Sequence, residues 1–199
     1  MIKYNTLLSV LIVSLIACPV FAQKANKAPV KATTVSTAPV SDVIQWITVE
    51  ELEQKMKKEP RLVLIDFYTD WCGWCKVMDK KTFSNKDLAK FVNKNYYAVK
   101  FNAESKTALN FMGKQYEYVP QYRAHQFAAE IMGGKMSYPT IVIAGKNMSF
   151  VNPIPGYQRV NQMESFLKYF ASVEVPTQET WTAHQNNFKA SWTLEAGQE

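Results

Sequence analysis

The chain has 199 residues, 47% of them apolar and 20% charged, proportions that suit one globular domain with a full hydrophobic core. Three cysteines are too few for a disulfide-stapled scaffold. The formal charge of +6 comes from lysines scattered among acids, as in KMKKEPR and DKKTF, with no dense arginine cluster and no nucleic-acid-binding motif, which argues against a phosphate-tracking surface.

Residues 1–22, MIKYNTLLSVLIVSLIACPVFA, begin with Lys3, run apolar from Leu7 to Ala17 and end at Val20-Phe21-Ala22. A positive start, a short apolar core and a small-residue exit form the pattern of an export signal, and the run is too short to read first as a membrane-spanning helix. Two endings are open. Cleavage after Ala22 releases a soluble protein beginning at Gln23. Alternatively, Leu15-Ile16-Ala17-Cys18 resembles the lipobox of bacterial lipoproteins, in which Cys18 carries the lipid. The expected location is the periplasm or another exported compartment, with membrane attachment only through Cys18. After cleavage at Ala22 the remaining thiols are Cys72 and Cys75, which an oxidising compartment can pair. Residues 23–41 are rich in Ala, Thr, Pro and Lys without an amphipathic period, and read as a flexible tether.

The segment from 42 to 175 has the punctuation of a layered domain. Val43 to Ile47 reads as a short strand. Thr48-Val49-Glu50-Glu51 is a capping box opening a helix to about Lys58, and RLVLIDFY, residues 61–68, is a nearly continuous apolar run suited to the middle of a sheet. Helical character resumes near Cys72, and Ser84-Asn85-Lys86-Asp87 reads as a second box starting a helix through Val92. YYAVKF, 96–101, is a strand. An insertion around 103–124 with Phe111, Tyr116, Tyr118 and Tyr122 has two readings, a helix plus an aromatic loop that shapes a substrate groove, or an extension that packs on the domain. His125 to Met132 is helical, TIVIAG is a strand opened by Pro139, and FVNPI is an edge strand because of its proline. A third box, Asn161-Gln162-Met163-Glu164, begins a helix carrying Phe166, Leu167 and Phe170. In the C-terminal extension, 176–199, Trp181, Phe188 and Trp192 are spaced for one helix face. Strands alternating with helices predict an α/β fold, a central mixed sheet flanked by helices.

WCGWCK, residues 71–76, raises the chemical question. A structural zinc site needs about four ligands, commonly as two pairs. One CxxC stands here, with His125 and His184 in no ligand spacing, so no metal and no cofactor are expected. Inert buried thiols suit a segment abutting a strand end poorly. A dithiol switch suits it well: cysteines at i and i+3 lie close enough to bridge, and a helix starting at about Cys72 places that sulfur where free backbone N–H groups stabilise a thiolate. Cys72, nearer solvent, is then the attacking thiol, and Cys75, one turn in, the resolver. Gly73 lets the turn tighten and a substrate chain approach. Asp66, an acid within an apolar strand, is costly to bury ionised, so its pKa is expected to rise.

The run Asp66-Phe67-Tyr68-Thr69-Asp70-Trp71-Cys72-Gly73-Trp74-Cys75-Lys76 resembles the thioredoxin superfamily. Its continuation VMDKKTFSN is similar to exported bacterial thioredoxin-like proteins and to the C-terminal domain of the periplasmic membrane thiol:disulfide interchange protein. Lys100-Phe101-Asn102 and Tyr138-Pro139-Thr140 match further landmarks, over roughly residues 42–172. The resemblance implies a cis Pro139 facing the dithiol, with the Tyr138 backbone binding an extended substrate and Thr140 beside it. It also implies Asp66 beneath the dithiol as a proton relay to Cys75, Lys100 tuning that acid, and Trp71 shielding the disulfide. Trp74 departs from the pattern, standing where the best-known members have proline. The implied function is thiol–disulfide exchange, with reduction of protein disulfides favoured. A disulfide-forming oxidase and a non-catalytic peptide-binding module are the alternatives. The implied partners are proteins with disulfides or thiols and an upstream redox protein, for instance a membrane thiol–disulfide protein.

Overall fold

The computed structural model describes residues 41–198, so the readings of the leader, of Cys18 and of the segment 23–40 lie outside the described residues. In chain order the elements are β1 (Trp46–Ile47), α1 (Val49–Lys58), β2 (Leu62–Tyr68), α2 (Gly73–Lys81), α3 (Lys86–Asn95) and β3 (Tyr96–Asn102). They continue with β4 (Leu109–Phe111), β5 (Lys114–Tyr116), β6 (Tyr118–Val119), β7 (Ala124–His125) and α4 (Gln126–Ile131). Last come β8 (Thr140–Ala144), β9 (Val151–Pro155), α5 (Val160–Ser172) and α6 (Gln178–Asn187).

The principal sheet has the order β1-β3-β2-β8-β9. β2 is central, as its nearly continuous apolar run predicts, pairing parallel to β3 and antiparallel to β8. β9 lies at the edge, where Pro153 and Pro155 interrupt no further ladder. The period-two alternation of β2 divides the core. Val63, Ile65 and Phe67 point to one face and meet Val49, Leu52 and Met56 of α1 and Phe127 and Ala128 of α4. Leu64 points to the other, with Met78 of α2, Leu88 and Val92 of α3, and Met163 and Leu167 of α5. Each of these fully buried aliphatic or aromatic side chains contributes about 1.5–3 kcal/mol through burial, so the two-sided packing of β2 dominates the fold. Asp66 is the exception on the α2 side, buried where every neighbour in the strand is apolar.

Helix entries follow the capping rules with two corrections. Thr48 and Glu51 form the expected reciprocal box at α1, Glu51 N–H to Thr48 Oγ1 at 3.2 Å and Thr48 N–H to Glu51 Oε2 at 2.8 Å. At α3 the cap is Asn85, not Ser84: Asn85 Oδ1 accepts from Leu88 N–H at 3.0 Å, while Ser84 Oγ turns back to Lys80 O. At α5 the box begins two residues early, with Gln162 Oε1 accepting from Arg159 N–H at 2.9 Å. Glu164 is therefore free for another task.

The insertion is not a helix plus a loop. It folds as two hairpins, β4–β5 and β6–β7. Phe111 pairs with Lys114, leaving Met112 and Gly113 as a two-residue loop with φ of 51° and 78°, the left-handed pair a tight hairpin requires. The alternation it closes buries Phe111 and Tyr116 edge-on against Phe127, both at 5.5 Å between ring centroids. His125 N–H donates to Ala103 O at 2.7 Å, tying the second hairpin to the end of β3.

The tail also departs from one helix face. α6 ends at Asn187, Phe188 is its C-cap, and Trp192 follows at a bend outside any helix. Trp181 stacks on Phe166 of α5 at 5.2 Å, whereas Trp192 packs on Phe91 of α3 at 5.6 Å. The clasp is Glu164, fully buried, whose carboxylate accepts from the Ser191 and Trp192 N–H groups, Ser191 Oγ and Lys168 Nζ. These donors outweigh the cost of burial and hold Glu164 below the usual glutamate pKa. Removing one partner of such a buried, hydrogen-bonded charge set costs about 3–5 kcal/mol. Glu164→Ala is expected to lower the urea-unfolding free energy by about 3 kcal/mol and to speed amide exchange at Ser191 and Trp192 selectively; uniform exchange across the chain would show that the tail is not held there.

Candidate functional site

β2 ends at Tyr68, and the four residues after it turn the chain so that α2 starts at Gly73 with Cys72 as its N-cap. The turn is closed by Cys72 N–H donating to Thr69 O at 3.1 Å. Cys72 Sγ accepts from Cys75 N–H at 3.0 Å, and the two sulfurs are joined in a disulfide of 2.03 Å, with Cα atoms 5.3 Å apart. The sulfur of Cys72 thus stands at the positive end of α2, where N–H groups lack carbonyl partners and negative charge is favoured. The expected difference in exposure is absent in the bonded state: Cys72 is 3% and Cys75 4% exposed. What separates them is position, one on the cap and one a turn within the helix. Gly73 also differs from expectation. Its φ is not positive and a Cβ built there meets nothing within 4 Å, so the turn itself does not require glycine.

Beneath this helix lies a charged set. Asp66 and Lys100 are register partners on β2 and β3, and Lys100 Nζ reaches Asp66 Oδ2 at 3.0 Å. The same ammonium pairs with Asp79, which is one helical turn after Cys75 and so shares its face of α2. The rings of Trp46, Tyr68 and Phe83 surround Lys100 at 5.4, 5.2 and 5.8 Å from its Nζ. Burial pushes Asp66 up to about 6, against the pull of Lys100. Burial acts on Lys100 in the opposite sense, but Asp66 and Asp79 together outweigh it and hold the ammonium above its ordinary pKa. Among the described residues Asp66 Oδ1 has no hydrogen-bond partner, nor has the buried Thr69 Oγ1.

The predicted proline loop meets the active-site turn through Tyr138 and Trp71, the residue before Cys72. The Tyr138–Pro139 peptide is cis. Thr140 Oγ1 donates to Ser137 O at 2.8 Å, and Pro139 O accepts from Gly156 N–H at 2.8 Å, so the loop is pinned on both sides. Trp71 is 66% exposed, its Nε1 donating to Glu104 Oε2 at 3.1 Å and its ring edge-on to Tyr138 at 5.9 Å. Trp74 is 61% exposed and leans on Tyr157 at 5.5 Å. Asp79, Glu104 and Tyr157 were not singled out by sequence reasoning. Asp79 was legible as the i+4 neighbour of Cys75 on a predicted helix. Glu104 and Tyr157 lie on separate connections that only the folded sheet brings near the tryptophans.

The geometry agrees with known proteins. Residues 49–171 match the family model described as a thioredoxin-like domain. Thioredoxin of Allochromatium vinosum is 43% identical over 37 residues, 19% of this chain and 35% of that protein. An uncharacterized protein of Caenorhabditis elegans is 33% identical over 57 residues, 29% of this chain and 8% of that one. The chain thus spans about a third of one of these curated relatives and under a tenth of the other. Among solved structures, a thioredoxin-fold protein from Helicobacter pylori superposes with a TM-score of 0.51 at 19% identity, covering 75% of this chain and 91% of that chain. With the family model spanning more than half of the sequence, and with paired cysteines of CxxC spacing consistent with a redox-active dithiol, this chain belongs to the thioredoxin-like domain family.

Proposed function

We propose that the protein is a thiol–disulfide oxidoreductase that reduces disulfides in protein substrates. The observation that carries the reading is the Cys72–Cys75 pair at the N-terminus of α2. In the dithiol form, the Cys72 thiolate attacks one sulfur of a substrate disulfide. A mixed disulfide forms and the other substrate sulfur leaves as a thiolate. Cys75, deprotonated, then attacks Cys72 Sγ; the substrate's second sulfur departs as a thiolate and takes a proton, and the protein is left with the disulfide seen here. The balance is two electrons from the protein dithiol to the substrate. A second dithiol protein, of the class that includes membrane thiol–disulfide proteins, restores the reduced pair by the same exchange.

Each site residue has a proposed part. The helix N-terminus stabilises the Cys72 thiolate. Asp66, raised into the range where it exchanges protons near neutrality, accepts the proton of Cys75, and Lys100 moderates its charge. The Tyr138 backbone offers an N–H and a C=O to an extended substrate, with Pro139 and Thr140 fixing its height and Gly73 leaving room for approach. Trp71 and Trp74 flank the entry. We assign residues 42–175 to the catalytic domain, including the insertion at 103–124, with 176–199 as an extension. The leader reading supports an exported site of action, soluble after Ala22 or anchored through Cys18.

Three outcomes test the assignment. The reduced protein is expected to accelerate insulin reduction, and Cys72→Ser to abolish this; equal binding of substrate without wild-type turnover would leave a non-catalytic module in its place. Equilibration with glutathione is expected to give a Cys72–Cys75 potential below about −200 mV, whereas a value near about −120 mV would make the protein a disulfide-forming oxidase. For Asp66 the sign is set by a folded pKa of about 6 above the ordinary 3.8. The folded state holds this proton more tightly, so its contribution to stability is greatest below pH 4 and is lost as pH rises through about 6. Asp66→Asn is expected to raise stability at pH 7.5 by about 3 kcal/mol, a gain that disappears below pH 4, and to slow resolution of mixed disulfides in stopped flow. Resolution at the wild-type rate would remove Asp66 from the proton transfer.

A further inference from the structure

We propose that the exposed indole of Trp71 and the Glu104 carboxylate that holds it select substrate segments with an arginine close to the reacting cysteine. This rests on the exchange reading above and gives it a substrate class. Trp71 directly precedes Cys72, so whatever touches its ring is within reach of the disulfide. The ring is largely solvent-exposed, and one edge is fixed by the bond from Nε1 to Glu104 Oε2. Tyr138 closes the corner, its rings and those of Trp71 meeting nearly perpendicular, at 82°. Burial first, and then the Glu104 charge, push the Tyr138 hydroxyl up to about 12.

Asn102 gathers the acids. Its Nδ2 donates to Asp70 Oδ2 at 3.1 Å while its Oδ1 accepts from Glu104 N–H at 2.9 Å. Several carboxylates are paired with cations, Asp66 and Asp79 with Lys100, Glu130 with Lys114 and Glu164 with Lys168, while others, such as Asp87 and Glu117, form no ion pair among the described residues. Among the described residues neither Asp70 nor Glu104 forms an ion pair. Lys106, two residues from Glu104, places its ammonium over the Tyr118 ring instead. An exposed indole face next to an unpaired carboxylate is complementary to a guanidinium, which stacks on the ring through its plane and donates a fork of N–H groups to the acid. Lysine, a compact hydrated charge, satisfies only the second contact. The chain's net charge of +6 repels cationic segments at long range, so the preference is local, expressed on contact and not in long-range steering.

The test uses the reduced full chain and synthetic disulfide peptides that differ only in carrying Arg, Lys, Gln or Glu at each of two positions on either side of the cysteine. The second-order rate of exchange is read from the change in tryptophan fluorescence. At the best position, the Arg peptide is expected to react about five- to tenfold faster than its Gln counterpart, with Lys between them and Glu slowest. Glu104→Gln, which keeps the acceptor for Trp71, is expected to bring the Arg-to-Gln ratio to within twofold, and Glu104→Lys to reverse the order in favour of the Glu peptide. Equal rates for all peptides, or an Arg-to-Gln ratio unmoved in both variants, would overturn the selectivity and leave the exchange reading standing. No reaction with any peptide would overturn both.

Discussion

The register of β2 against its two neighbours is the constraint on which the site depends. Bonding to β3 sets Asp66 opposite Lys100, and bonding to β8 sets Phe67 opposite Thr140, the residue after the cis proline. One ladder therefore decides which charge lies below α2, and the other sets the start of β8, just after the cis proline, beside the end of β2. A slip of one residue would turn Asp66 to the α1 side and Phe67 into the place of the acid. The apolar faces of β2, each packed by helices, make such a slip prohibitively costly, so the ordinary hydrophobic core is what fixes the position of the reactive groups.

Against that background Asp66 is a local conflict tolerated by the fold. The carboxylate is desolvated more than Lys100 compensates, and one of its oxygens has no hydrogen-bond partner among the described residues. A better-satisfied side chain here would stabilise the domain but could not exchange a proton near neutral pH. Lys100 is equally unusual: a cation shared between an acid on the sheet and an acid on α2, inside three aromatic rings. The arrangement mechanically links the strand floor to the helix that carries the cysteines.

How much of this was legible beforehand follows from how local each signal is. The strand RLVLIDFY, the box at Thr48–Glu51, the helix start at Cys72 and the edge place of FVNPI are encoded by contiguous residues, and all are found. The cis peptide before Pro139 was implied by resemblance rather than by local pattern. The insertion was misread because a Met-Gly loop between short, half-polar strands gives little periodicity, and its strands become evident only once Phe127 offers a surface for Phe111 and Tyr116. The tail is a helix packed on the domain only as far as Asn187: a 7-and-4 aromatic spacing fits one helix face, yet Glu164, far away in sequence, captures the backbone at Ser191 and Trp192 beyond it. Long-range polar capture leaves no periodic trace.

The tail carries one more implication. Trp181 covers Phe166 and Tyr169, and Trp192 covers Phe91, so the last two dozen residues roof over aromatic surface belonging to α3 and α5. A chain shortened before Thr177 would retain the sheet, the disulfide and the proline loop, yet would present those rings to water. Its first failing would be self-association, not loss of chemistry, and the shortest active form of the protein and its shortest well-behaved form are accordingly different molecules.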